Sequence, residues 1–230
     1  MSTPDSSSST PQASQDERTF ERWRKTFSTF TGIGLTSEEA EERRIGKADR
    51  FLHAQRQNCL FWRNDLLKSS PAVTFMVQHL GQNGVRVNST NIICEPCDMT
   101  RSGGFSPELQ EVLLCQNGFS SKQHMEDTIV HELIHLYDHS KFKVNWTDLR
   151  HVACSEIRSA NLSGDCKWDR ELFRRGVLGF TKHHQTCVRR RAVLSVSQHP
   201  NCKSMDEAER AVNEAWESCI SDTRPFDEIY

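Results

Sequence analysis

The sequence has no apolar run long enough to span a bilayer. Its longest uncharged stretch, Ser69 to Val85, is broken by polar residues and falls short of the roughly 20 apolar residues that a membrane helix needs. A soluble or peripheral protein is expected. An apolar leader is also missing: the opening MSTPDSSSSTPQASQDER carries Asp5, Asp16 and Glu17 before its first basic residue, Arg18. That pattern suits neither a secretory signal nor a matrix presequence. An excess of one charge is lacking too, because 29 Lys and Arg stand against 31 Asp and Glu, for a net charge of −2. Whole-molecule attraction to nucleic acid is therefore not indicated, and nucleic acid is not expected among the partners. No internal repeat is visible.

Cysteine, by contrast, is plentiful. Nine in 230 residues are many for a reducing compartment but too few to serve as the main scaffold. An oxidising compartment is favoured, and the odd count leaves one thiol over. Cys94 and Cys97 form a C-x-x-C pair in CEPC. A zinc knuckle would want a second pair, and only Cys115 is near. The pair is expected as disulfides or buried thiols, with a structural metal and redox catalysis as lesser readings.

At 36% apolar content the chain can build one domain with a sizeable core. Residues 1–30, rich in Ser, Thr and Pro at their start, are assigned to a disordered tail, and residues 31–230 to a single domain. Thr36 and Glu39 make a capping box ahead of a charged helix that runs to about Cys59. NGVRVNSTNIICEPCD predicts two short strands or a hairpin, EVLLCQN a further strand, and Ser121 opens the next helix. LRHVACSEIRSANLS predicts another helix, ending near Gly164. Two more follow, near residues 184–197 and 205–220, the last capped by Ser204 with Glu207. The class is α+β: a small mixed sheet with an active-site helix and several flanking helices.

The chemistry concentrates in TIVHELIHLYDH, residues 128–139. On a helix His131 and His135 lie one turn apart on one face, so both imidazoles can reach one metal. Glu132 is off that line. It cannot readily be a third ligand, but it can reach a water held at the metal, where a general base must stand. Ile129, Val130, Leu133, Ile134 and Leu136 make the helix apolar enough to be buried. Two imidazoles and a carboxylate are costly there unless something binds them, although histidines satisfied by core neighbours are the bland alternative.

Catalytic zinc usually takes three protein ligands and leaves one position open. His139 lies about 12 Å along the axis from His131, too far for bonds of about 2 Å to one ion, and Asp138 fails similarly. The third ligand should come from another element. Glu156, in ACSEIRSANLSGDC on the next helix, is the leading candidate, with His151 behind it.

Four segments in order, HELIHLYDH, ACSEIRSANLSGDC, HHQTCVRRRAVLSV and ESCISDTRPF, resemble the ATP-synthase-assembly metalloproteases of the mitochondrial intermembrane space, which are bound to the inner membrane. The resemblance covers roughly residues 45–230. It implies a gluzincin-like zinc endopeptidase holding one catalytic zinc ion and maturing the precursor of ATP synthase subunit a. It also implies help in assembling that subunit with the ring of c subunits, and turnover of lipid-transfer proteins. His131, Glu132 and His135 match the metal and base positions of that family, and Glu156 falls in its second signature. Entry by the oxidative-import machinery would reconcile the cysteines with a chain lacking a signal peptide. Cys59 is the cysteine without an obvious partner.

His184 and Arg158 are candidate stabilisers of the oxyanion, whereas Tyr137 is assigned to the core. From Leu172 to Met205 the chain has seven Lys or Arg, three His and no acidic residue. Such a stretch is a solvated face or a docking site for the anionic inner-membrane surface. Two functions from different classes remain: a zinc endopeptidase, and a non-catalytic assembly chaperone that holds extended segments of membrane-protein clients.

Overall fold

A computed structural model describes residues 15–31, 33–98, 100–166 and 180–227. By its internal contacts the chain divides into two units, Met1–His53 and Ala54–Tyr230. The first holds helix α1 (Gln15–Thr31) and the start of α2 (Ser37–Ser69). Half of the expected tail is thus helical, because Phe20, Trp23 and Phe27 recur at helical spacing. The Thr36 capping box forms as expected: the Glu39 amide donates to Thr36 Oγ1 at 3.2 Å and the Thr36 amide to Glu39 Oε2 at 3.0 Å. Helix α2 runs ten residues past the predicted Cys59 end, to Ser69.

In the second unit, α2 gives way to α3 (Pro71–Gln82), capped by Ser70 with Pro71 in its first turn. A three-stranded sheet follows, made of β1 (Ile92–Glu95), β2 (Gly103–Ser106) and β3 (Glu111–Cys115) in the order β1-β3-β2. β1 runs parallel to β3 and β2 antiparallel to it. The sheet is mixed, as expected, but NGVRVNSTNIICEPCD supplies only one strand. The second comes from GGFS, whose two glycines conceal it from a propensity reading. Helix α4 (Lys122–Lys141) is capped by Ser121 and α5 (Leu149–Leu162) by Asp148. Helices α6 (Phe180–Ser197) and α7 (Met205–Ile220) complete the described part, α7 under its Ser204 cap.

Two apolar clusters organise this unit. One joins α2, α3, the sheet and α4 through Leu66, Met76, Leu114, Ile129 and Leu133, and it takes in Phe226 from beyond α7. The other joins α5, α6 and α7 through Ile157, Val188, Val196, Val212 and Trp216. Helices α4 and α5 pack together at the seam.

Each cluster is braced by two disulfides. Cys59–Cys94 ties α2 to β1, and Cys97–Cys115 ties the turn after β1 to the end of β3. Cys154–Cys219 joins α5 to α7, and Cys166–Cys187 joins the turn after α5 to α6. The C-x-x-C cysteines therefore pair outward rather than with each other. Cys59, expected to be left over, is bonded, and the free thiol is Cys202. The error is one of topology, since 35 residues separate Cys59 from Cys94 and only the packing of α2 on the sheet brings them together.

The basic stretch of α6 is also used internally. Arg189 lies over the Trp216 ring at 4.1 Å and bonds Asn213, while Arg191 donates to Asp165 at 2.6 Å. Arg174 and Arg175 lie outside the described residues. Thiol titration of the unreduced, denatured protein should find one reactive thiol per chain and none in Cys202→Ser. Replacing both Cys154 and Cys219 by Ser should cost about 2–5 kcal/mol in denaturant unfolding, because the link closes a long loop.

Candidate metal centre and active site

The seam between the two clusters is where the ionisable groups gather. Helix α4 presents His131 and His135 one turn apart, their ring centroids separated by 4.9 Å, and α5 presents Glu156 to both. His131 Nε2 lies 3.5 Å from Glu156 Oε2, and His135 Nε2 lies 3.6 Å from Glu156 Oε1. One ligand atom from each of the three residues falls within 4.8 Å of the others. A single ion can therefore meet all three. His131 Nδ1 and Glu156 Oε2 are buried without a hydrogen-bond partner. Such orphaned polar atoms are costly in a protein interior, and two together at a histidine–carboxylate cluster fit a cation.

The charge balance argues the same way. Burial pushes the Glu132 carboxyl up to about 7; the His131 charge opposes that, and Glu156 and Asp165 add to it. Burial lowers His135 to about 4, so its imidazole is neutral at neutral pH, the form a metal ligand needs. Burial alone would raise Glu156, yet it is held at about 2 by attraction to His135 and to the neighbouring His131. His131 favours the ionised form of Glu156. Burial disfavours the charge on His131 itself, but Glu156, Glu132 and Asp165 outweigh it and raise His131. Three carboxylates surround this imidazole, and Asp165 is also paired with Arg191.

The unused nitrogen of His135 is fixed by a buried relay. Nδ1 lies 2.7 Å from Ser155 Oγ, which donates to Asp138 Oδ2 at 2.9 Å. Nδ1 is therefore the protonated nitrogen, which leaves the Nε2 lone pair facing Glu156. Asp138 is held in turn by Arg158 Nε, at 3.1 and 3.2 Å from its two oxygens. Arg158 also donates to the main-chain oxygens of Asp222 at 3.0 Å and Arg224 at 2.5 Å. The segment after α7 thus braces a histidine on α4. Its Arg224 lies over the Phe142 ring at 4.9 Å, and Phe226 stacks on Phe75 at 4.9 Å.

These contacts revise several sequence expectations. Arg158, a candidate oxyanion stabiliser, is 2% exposed and does not line the cleft; it anchors Asp138. His184 does not line it either, with its ring nitrogens at 2.7 Å from Asn161 Oδ1 and 3.0 Å from the Cys166 oxygen. Asp138 and His139 stay outside the ligand set, as geometry required, since His139 accepts from Trp146 Nε1 at 3.0 Å. His151 is spent on the Asn145 amide. Residues that the motif did not reveal include Asp165, 3.7 Å from His131 Nδ1, and Ser195, whose hydroxyl bonds Glu156. Only their place in the SGDC and RRRAVLSV segments marked them.

A cleft of about 760 Å³ opens onto these groups, edged by Gly103, Gly104 and Phe105 of β2 and by Trp146. β2 is an edge strand, paired with β3 on one side, and its Gly103, Gly104 and Phe105 border the cleft. Gly103 is required there: a Cβ would come within 2.7 Å of Thr128 Cγ2, 3.0 Å of the Leu113 oxygen and 3.2 Å of Glu132 Oε1. Only a residue without a side chain lets β2 lie this close to the catalytic helix.

A helix offering two histidines and a glutamate, facing a third donor beside an edge strand, is the arrangement expected of a metal-dependent peptidase. A family model described as "Peptidase M76 family" matches residues 57–227. The chain belongs to that family. It is similar to proteins named "Mitochondrial inner membrane protease atp23": 49% identical to one from Neosartorya fischeri over 92% of this chain and 89% of the relative. With one from Saccharomyces cerevisiae it shares 47% identity over 95% of this chain and 99% of the relative, and with one from Aspergillus niger 45% over 100% of both. No solved structure matches the chain.

Two outcomes follow for the purified protein. Asp138→Asn and Ser155→Ala should each weaken metal binding by about 10–100-fold in a competitive chelation assay, because the His135 tautomer loses its support. Metal content at the parent level in both would contradict the relay. In chelator-treated protein, Glu132 is raised from 4.5 to about 7, so it favours the folded state below 4.5 and loses that contribution as pH rises through 7. Glu132→Gln should then gain stability over the parent across that window, by up to about 3 kcal/mol above pH 7. A difference independent of pH would show that Glu132 is not the buried acid described.

Proposed function

We propose that the chain is a gluzincin-like, zinc-dependent endopeptidase in which His131, His135 and Glu156 hold the ion and Glu132 is the general base. The observation that carries this reading is the convergence of two nitrogens and one oxygen, from two helices, beside two buried polar atoms without partners. Two imidazoles with a single carboxylate suit zinc better than magnesium or calcium, which favour oxygen. Zinc bound there would supply Lewis-acid activation of a water and of the scissile carbonyl.

The remaining work falls to the chain. The free edge of β2 aligns an extended peptide by backbone hydrogen bonds along Gly103–Ser106, laying its carbonyls across the cleft. Glu132, poised near neutrality, takes a proton from the attacking water and returns it to the leaving amine. Asp165, bound to Arg191, orients His131, while Ser155 orients His135.

The sequence resemblance points to the precursor of ATP synthase subunit a as substrate, to assistance in assembling Fo, and to lipid-transfer proteins as further clients, and the relatives' names place such a protease at the mitochondrial inner membrane. Four disulfides favour the intermembrane-space side of the inner membrane and entry by oxidative import. Among the described residues no helix is long and apolar enough to cross a membrane, and we read the attachment as peripheral.

Two substitutions test this. Glu132→Gln should retain stoichiometric zinc and reduce peptide hydrolysis by orders of magnitude, whereas Glu156→Gln should lose zinc first and activity with it. Unchanged cleavage by zinc-loaded Glu132→Gln would sink the mechanism. If that variant still assembles ATP synthase, holding the client is separable from cutting it.

A further inference from the structure

The cleft differs in chemistry from one end to the other. Side chains alternate along a strand, so Gly103 and Phe105 share one face of β2: Gly103 leaves room over Thr128 and Glu132, and Phe105 meets the His139 ring at 5.8 Å. His139 lies one helical turn beyond His135. Trp146 completes this end, its ring 5.8 Å from Phe105 and 6.0 Å from His135, an imidazole of the metal site. Val152, which also borders the cleft, stands one turn before Glu156 on the same face of α5. Toward the start of α4 the lining is polar instead, made by Arg101, Ser102, His124 and Thr128, with Ser102 Oγ 3.0 Å from His124 Nε2.

What Trp146 can offer a ligand follows from how it is held. Its only polar side-chain atom, Nε1, is spent on His139 Nδ1 at 3.0 Å. The backbone on either side is tied down as well: the Asn145 amide donates to His151 Nδ1 at 2.9 Å, and Asn201 Nδ2 donates to the Thr147 oxygen at 3.1 Å. The indole is half-buried, with no hydrogen bond left to give, so it presents carbon to the cleft and favours an apolar side chain over a polar one. Phe105 packs on one apolar cluster and Trp146 on the other, so the wall they form bridges the seam at which the metal residues meet. The packing that sets the metal site sets this wall too.

We propose that Trp146, with Phe105 and Val152, forms a substrate subsite that selects a large apolar side chain close to the scissile bond. The inference rests on the peptidase reading above and names the feature of the substrate that the cleft reads. The 6.0 Å from Trp146 to His135 matches about two residues of extended chain. A peptide that lays an apolar side chain against the wall therefore brings a carbonyl within roughly two residues of it beside His131, His135 and Glu156, and the apolar residue decides which bond is cut.

The test gives the full chain a polar host peptide of Ser, Thr and Gln that carries one Leu, moved along it a position at a time, with Ala and Lys versions as controls. The zinc-loaded parent should cut at a constant distance from Leu, so that the cut moves in step with it, and should cleave the Ala and Lys peptides at least about tenfold more slowly. Binding supplies a readout without turnover: in fluorescence anisotropy, zinc-loaded Glu132→Gln should hold the labelled Leu peptide more tightly than the Ala one, and adding Trp146→Ala should abolish the difference. Trp146→Ala alone should lose the Leu preference in cleavage with zinc content at the parent level; if it loses zinc or its fold, Phe105→Ala carries the same comparison. Cuts that ignore Leu, a preference for Lys, or a Leu preference undiminished in these variants would each overturn the proposal. Leu-dependent binding with no hydrolysis by the parent would uphold the subsite and count against the peptidase reading, and hydrolysis without Leu dependence would do the reverse.

Discussion

Everything in the Ala54–Tyr230 unit answers to one constraint: charged groups buried at the seam of two apolar clusters must be compensated. Glu132, Glu156 and Asp165 bring three carboxylates to a place where solvation is poor, and His131 is the imidazole they share. An uncompensated carboxylate in such surroundings costs several kcal/mol, comparable with much of a domain's net stability. Here Asp165 is met by Arg191, Glu156 by His131, and Glu132 by a raised affinity for its proton. The proposed catalysis uses the same arrangement, because the raised Glu132 and the neutral His135 both result from burial.

Meeting that constraint requires α5 to lie against α4 at a fixed depth, and α5 gets its position from far away in sequence. Cys154–Cys219 fixes α5 to α7 across 65 residues. Arg158 reaches beyond α7 to the main chain of Asp222 and Arg224, and Phe226 closes the strap by entering the core around α4. Metal-binding geometry thus belongs to the assembled second cluster, not to HELIH alone. That is the physical sense in which TRPF, 67 to 70 residues past Glu156, supports the site.

What could be read in the sequence follows the range of each interaction. That the two histidines share one helix face was legible because i, i+4 geometry is local; a third donor was expected from another element, with Glu156 ahead of His151, and the structure sets Glu156 beside both histidines. Capping boxes at Thr36 and Ser204 were legible because they are local as well. β2 was not, since GGFS has no strand propensity and pairs only because Gly103 allows it against Thr128 and Glu132. Disulfide partners, Asp165 and the role of Arg158 depend on contacts 18 or more residues apart, where spacing carries no information. Arg158 misled for a further reason: an arginine two residues after a ligand glutamate invites a catalytic role, but half a helical turn carries it to the opposite side of α5.

That half turn also explains why the apolar motif tolerates so many polar groups. Glu156 faces the cleft, whereas Ser155 and Arg158 sit behind His135 and Asp138 and complete a network in which each donor has an acceptor. A fully satisfied network of this kind fixes one imidazole tautomer and one approach for Glu156, while a partly satisfied one would leave the ligands to choose among several. The relay and the strap therefore convert a generic pair of helical histidines into a single preorganised site. Its affinity for a cation is then a property of the folded, oxidised chain, and ion binding stabilises that state by mass action in return.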